Sequence, residues 1–228
     1  MDKIAENVEQ VRARVGAACA RVGRSADGVT IVAVTKTHGP EVVEAVIAAG
    51  IVDVGENKIQ EFLAKRPHIK KPCRWHLVGT LQRNKANKAV GAFDMIHSID
   101  RLRIAETLSR LGAEREQTTS VLLEVNTTGE VTKHGFAPNE TPDMAAKLSA
   151  LPHLRLEGLM TLGPLTDDEA AIRRAFQSLF RLKTKLENDL STPLPHLSMG
   201  MSDDFEIAIE EGATLVRLGR VLFGERRR

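Results

Sequence analysis

The sequence predicts an α/β fold: a single closed (β/α)8 TIM barrel, one domain spanning 1–228, with an extra N-terminal helix in 1–24 packing on the barrel. Three observations predict it. Eight short apolar runs alternate with helix-like stretches along the chain, and strands buried on both faces of a parallel sheet read as such continuous runs. The length of 228 residues falls in the range of roughly 200–250 typical of barrels. No G-x-G-x-x-G follows the first run, which removes the usual support for a doubly wound open sheet.

The elements follow in order. Ile4, Val8, Val11, Val15 and Ala18 recur at spacings of three and four, marking an amphipathic helix over 2–22. After Gly28 the run Val29 to Val34 is apolar or β-branched at every position and reads as the first strand. Gly39-Pro40 punctuates, and Glu41 to Ala49 is expected to be helical. Further strands are expected at Ile51 to Val54, Trp75 to Val78, Met95 to Ser98, Val121 to Val125, Leu154 to Leu159, Leu197 to Met199 and Leu215 to Leu218. The clearest helices between them are Arg101 to Leu111, Pro142 to Leu151, Asp167 to Asp189 and Asp203 to Glu211.

Composition narrows the function classes. Hydrophobic residues at 42% and charged residues at 27% suit a packed core with a solvated surface and exclude a disordered or fibrous chain. The 32 Lys and Arg nearly balance the 30 Asp and Glu, so no global field calls for nucleic acid or a membrane. The basic stretches at 66–74, 83–88 and 226–228 read as solvated faces, because aromatic platforms for single strands are few near them. Cys19 and Cys73 lie far apart without metal-ligand spacing, which fits a reducing compartment. No apolar run reaches the roughly 18 residues of a membrane helix, and a cytoplasmic protein is expected.

Barrel chemistry sits at the C-terminal ends of the strands. Lys36 closes the first strand after an apolar run, so its amine is expected in the mouth of the barrel, where desolvation favours the neutral nucleophile that attacks an aldehyde. Ser198-Met199-Gly200-Met201-Ser202 after the seventh strand opens a helix with small residues, and Arg217-Leu218-Gly219 closes the eighth. Loops after strands seven and eight are the recurrent phosphate cup of this architecture. Asn57 and His76 are placed to line the mouth. A nucleophilic lysine opposite a phosphate cup describes a site for a phosphorylated aldehyde; pyridoxal 5′-phosphate (PLP) and phosphosugar aldolase substrates both qualify.

These residues resemble the pyridoxal phosphate homeostasis proteins, the YggS/PROSC family, over nearly the whole chain. The matching blocks are Ala33 to His38, Gly55 to Asn57 with Gln60 and Glu61, His76 to Lys85, His97 to Asp100, Asn126 with Glu130, Lys133 and Gly135, and Gly158 to Thr161. Leu197 to Phe205 and Val216 to Gly224 complete the match and are the most specific. The resemblance implies a fold-type III barrel similar to the N-terminal domain of alanine racemases, with PLP held as a Schiff base on Lys36 and Arg217 facing the pyridine nitrogen. It further implies that Ser202, Gly200, Gly219 and the backbone near Ser198 and Met201 hold the phosphate, while Asn57, His76, Ser98 and Met160 line the ring. One departure is Lys58, where relatives often carry Tyr.

The implied function is intracellular PLP (vitamin B6) homeostasis, buffering or delivering the cofactor without committed catalysis. The expected partners are PLP itself and apo-enzymes that receive it, with no nucleic acid and no membrane, and a monomer is expected. The alternatives are a fold-type III racemase and a Schiff-base aldolase. An alanine racemase-like enzyme pairs its lysine with a tyrosine from a second domain, whereas this sequence has no tyrosine and is expected to end soon after the eighth strand. An aldolase would need an acid/base near Lys36, a part His76 could take.

Overall fold

The computed structural model describes residues 2–224. Eight parallel strands close into a barrel in which each pairs with its sequence neighbour and the eighth returns to the first. They are β1 (Thr30–Val34), β2 (Asp53–Glu56), β3 (Arg74–Leu77), β4 (Met95–Ile99), β5 (Thr119–Glu124), β6 (Leu154–Met160), β7 (His196–Ser198) and β8 (Leu215–Leu218). The helices are α1 (Asp2–Arg21), α2 (Pro40–Ala48), α3 (Ile59–Lys65), α4 (Leu102–Arg115), α5 (Thr141–Ser149), α6 (Glu169–Leu190), α7 (Phe205–Glu210) and α8 (Arg220–Phe223). No helix among the described residues is long and apolar enough to cross a membrane.

Every expected strand is present, and the largest displacement is at β2. The apolar run stops at Val54, but the ladder with β1 pairs Val32 with Asp53 and Val34 with Gly55. The strand therefore continues through Glu56, which is fully buried and reads as a strand end only because it is charged. The short helices α3 and α8 carry no strong amphipathic period and were not expected.

Two apolar layers hold the fold. The larger lies between strands and helices; the smaller joins Val32, Met95, Leu122, Met160 and Leu215, with Val78 and Leu162 packed against it. Those five come from β1, β4, β5, β6 and β8, so they meet only inside the barrel, which is a filled core rather than a pore. On the outside, α1 buries Val8, Val11, Val15 and Ala18. Its end is tied to α7: Arg21 pairs with Glu210 at 2.6 Å, and Arg24 donates to the carbonyls of Ile209 and Ala213. These carbonyls lie at the C-terminal end of α7, where a cation satisfies otherwise unpaired acceptors. The N-terminal helix thus braces the wall that carries the loops after β7 and β8.

Candidate functional site

A cavity of about 920 Å³ opens among the C-terminal ends of the strands, a size within the range of small-molecule sites. Lys36, Asn57, Glu124, Ser202, Arg217 and Gly219 contribute to its wall, each from a different strand end except Arg217 and Gly219. Among the described residues no group of three or more His, Cys, Asp or Glu is placed to hold a metal ion.

Lys36 is half-buried and stands on a turn whose next residue, Thr37, has φ 68°, an uncommon value for a residue with a side chain. The turn is pinned from below. Thr37 N–H donates to Glu61 at 2.7 Å, and the buried Lys65 ammonium donates to the Thr35 carbonyl at 2.7 Å. Lys65 also pairs with Glu56, which accepts from the Thr35 hydroxyl at 2.6 Å. Burial raises the Glu56 pKa against the pull of Lys65 and Thr35.

Arg217 rises from β8 to the cavity floor. Its guanidinium donates to Ser198 Oγ at 2.6 Å and to the Thr161 carbonyl at 2.9 Å. Burial draws its pKa down to about 10 while Asp204 and Glu124 oppose the shift, so it stays charged at neutral pH. Glu124 is also buried, and its Oε2 has no hydrogen-bond partner. Burial first, and the nearby Asp100 second, push it up to about 7 despite Arg217 and Arg101.

The far wall is the turn between β7 and α7. Gly200 has φ +92°, and a Cβ there would stand 2.6 Å from Ala208 Cβ, so glycine is required by the packing of α7. Asp204, not Ser202, occupies the N-cap position of α7, and its carboxylate accepts from Met201 N–H at 2.6 Å. Ser202 instead accepts from Val221 N–H at 3.4 Å, linking the two loops. The N–H groups of Ser202 and Asp203 have no acceptor among the described residues. Gly219 is different from Gly200: a Cβ there would meet only Val34, at 3.4 Å. The protein itself leaves that space open on the cavity side.

Of the residues expected to bind, Lys36, Asn57, Met201, Ser202, Arg217 and Gly219 line the cavity. His76, Ser98, Met160, Ser198 and Gly200 do not. Ser98 donates to the Gly79 carbonyl at 2.7 Å, Met160 fills the inner apolar layer, and Ser198 stands behind Arg217. His76 was expected at the mouth, but it starts too low on β3: its Nε2 meets Asp53, the first residue of β2, at 2.8 Å. Sequence reasoning missed Glu124, His134, Asp203 and Arg220, which also line the cavity. For Glu124 the one signal is a carboxylate near the end of an otherwise apolar strand, which does not by itself say that the side chain faces a cavity.

The alanine racemase N-terminal domain model matches residues 1–227. A pyridoxal phosphate homeostasis protein of Aquifex aeolicus is 39% identical over 223 residues, 97% of this chain and 98% of that protein. One from Pseudomonas aeruginosa is 43% identical over 227 residues, 99% of this chain and 97% of that protein. The chain belongs to the pyridoxal phosphate homeostasis protein family. Among solved structures, PipY of Synechococcus elongatus with PLP bound superposes with a TM-score of 0.86 at 33% identity, covering 97% of this chain and 100% of that one. The fold-type III barrel expected from the sequence is thereby matched over 97% of the chain.

Proposed function

We propose that this family member binds PLP in the cavity, anchors it covalently on Lys36, and buffers or delivers it within the cell rather than running a committed amino-acid reaction. One observation carries the reading: a half-buried lysine and a buried, charged arginine face a single cavity whose far wall is a glycine- and serine-containing turn. The residues fit the group. Gly219 leaves room that the protein does not fill, and the N–H groups of Ser202 and Asp203 suit an anion. Lys36 supplies an amine, Arg217 would meet the ring, and Ser202 with Gly219 would hold the phosphate. When bound, PLP supplies an aldehyde that amines capture and a ring that withdraws electrons.

What the chain's own residues do follows from their surroundings. The Thr35–Glu56–Lys65 cluster fixes the turn that presents Lys36. Arg217, whose charge does not leave at neutral pH, keeps a positive group on the floor and disfavours protonation of a basic ligand atom beside it. Val34, Val78 and Leu162 give the wall an apolar stretch that limits water. A carrier needs only these functions: capture, orientation and protection.

A second reading, a fold-type III enzyme with racemase or aldolase activity, draws on Glu124. A carboxyl near pKa 7 in the cavity is suited to move protons. Exchange of an amino acid's α-proton in D₂O at about 1 s⁻¹ or faster, abolished by Glu124→Gln, would favour that reading over the carrier.

The test of the proposal is direct. Added PLP should give the protein a visible absorption band, and borohydride should fix a pyridoxyl mass on the peptide containing Lys36. A protein that stays colourless and unlabelled in excess PLP overturns the reading.

A further inference from the structure

A single file of polar side chains crosses the barrel interior. Arg217 donates to Ser198 Oγ at 2.6 Å; Ser198 Oγ lies 2.8 Å from His97 Nδ1; His97 Nε2 lies 3.0 Å from His76 Nδ1; and His76 Nε2 lies 2.8 Å from Asp53 Oδ1. Below, Arg74 grips Asp53 at 2.7 and 2.6 Å. The file draws on β8, β7, β4, β3 and β2. Since β4 and β7 are not neighbours, the His97–Ser198 contact passes through the middle of the barrel. It runs from the cavity floor to the opposite face, where the Arg74 side chain is 60% exposed.

Hydrogen-bond accounting fixes its direction. Asp53 is ionised and only accepts, because the bonds from His76 and Arg74 outweigh its burial and hold it at about 2. His76 therefore carries its proton on Nε2 and accepts on Nδ1 if neutral. His97 must then donate from Nε2, which leaves its Nδ1 to accept the Ser198 proton. Ser198 Oγ in turn accepts from Arg217. Every donor and acceptor in the file is used once. The reversed arrangement would need a proton added at His76, would make Ser198 accept from both sides, and would leave its own hydroxyl proton with no acceptor among the described residues. Burial, with the Arg217 charge adding to it, also holds His97 well below the usual imidazole range.

We propose that Asp53, His76, His97 and Ser198 form a directional hydrogen-bond relay, both imidazoles neutral with the proton on Nε2, that positions Arg217 in the ligand cavity. These four are positioning residues, and their part in ligand binding rests on the PLP reading above. The relay gives Arg217 a fixed neutral acceptor in place of a carboxylate, and with the Thr161 carbonyl as its other acceptor the guanidinium keeps its full charge at the cavity floor. This accounts for five buried polar residues in line across the barrel interior, where a half-satisfied network would be worse than none.

Two measurements test it. The first uses the protein without ligand: ¹⁵N histidine NMR at about pH 8 should show the protons of both His76 and His97 on Nε2, with each Nδ1 bare. The charged and titratable groups around them are Asp53 on β2, Arg74 on β3, His196 on β7 and Arg217 on β8. A cationic His76 or an Nδ1-protonated His97 overturns the relay whether or not PLP binds. The second compares PLP binding and the pH dependence of the bound absorption band in wild type, Ser198→Ala, His97→Leu and His97→Asn. Ser198→Ala and His97→Leu should weaken binding about two- to tenfold and shift the band's pH profile. His97→Asn, whose amide oxygen can again accept from Ser198, should restore it. Labelling at Lys36 that persists with an unmoved profile in Ser198→Ala and His97→Leu overturns the positioning role alone. Wild type that takes up no PLP overturns the PLP reading and this role with it, while the NMR result still decides the tautomers. Should His97→Leu fail to fold, Ser198→Ala, which removes one oxygen, carries the comparison.

Discussion

The Lys65 ammonium lies 2.7 Å from Glu56 Oε1, and both residues are buried beneath the turn that presents Lys36. An ion pair in this position is expensive to break, since the surviving charge has no water to turn to. Lys65→Met should therefore cost about 3–5 kcal/mol of stability, measured by urea unfolding. Lys36 should also form its borohydride-trappable adduct with PLP more slowly, because the Thr35 carbonyl loses its donor. Glu56→Gln should cost less, since Lys65 keeps the Thr35 carbonyl and Glu61 at 3.7 Å. Equal stability of Lys65→Met and wild type would show that the pair does not organise the turn.

Glu124 makes stability depend on pH in an unusual direction for a carboxylate. Its folded pKa of about 7 lies above the ordinary 4.5, so the folded state binds the extra proton between those values. The stability it allows is complete below the unfolded pKa and is lost as pH rises through about 7. The loss is on the order of 3 kcal/mol at pH 8. Glu124→Gln removes this dependence, so the difference between variant and wild type should grow in the variant's favour from pH 5 to pH 8. Urea midpoints of both proteins at the two pH values check it. A constant difference would place Glu124 in a more solvated setting than its burial indicates.

Much of the barrel was legible because parallel strands buried on both faces leave continuous apolar runs, as Val29 to Val34 shows. Positions where a polar residue is buried and satisfied from a distance were not legible. Glu56 reads as a strand end until Lys65 is known to reach it, and His76 reads as a mouth residue until Asp53 is seen below it. The same limit applied to the site. That Lys36, Arg217 and Ser202 line the cavity could be read from strand-end position alone. Ser198 could not be separated from them, because one residue pitch along β7 decides whether a side chain meets the cavity or stands behind Arg217. Glu124 lies two residues before Asn126, whose side chain folds its own loop by accepting from the Thr128 and Gly129 N–H groups, and a carboxylate inside an apolar run carries no outward sign that it faces a cavity.

Gly200 is held at φ +92° with α7 packed against it. Gly200→Ala should cost about 2–4 kcal/mol from backbone strain and overpacking together, whatever the ligand state. The Arg217 N–H donates to the Gly200 carbonyl at 3.0 Å, so the displacement should reach the cavity floor and weaken PLP binding too. A melting temperature equal to wild type would mean that α7 shifts without penalty.

Gly219 provides the complementary case and the sharpest check on the phosphate assignment. Its φ of −125° lies outside the left-handed region that favours glycine, and a Cβ there would find only Val34 at ordinary contact distance. Gly219→Ala should therefore fold with a stability within about 1 kcal/mol of wild type. If the open space receives the phosphate, the added methyl will push that group away from the N–H donors of the turn. Charge-assisted hydrogen bonds of this kind are worth roughly 1.5–3 kcal/mol each, so wild type should prefer PLP over pyridoxal by about 100-fold or more when two are made. The preference should survive in Lys36→Ala, because the phosphate contacts do not need the lysine, although both ligands will bind more weakly there. In Gly219→Ala it should shrink while pyridoxal binding barely changes. Calorimetric titration of the three proteins with both ligands separates these effects. Equal affinity of wild type for the two ligands, or a Gly219→Ala loss shared equally by both, would remove the phosphate from this wall and leave the turn after β7 as a support for α7 alone.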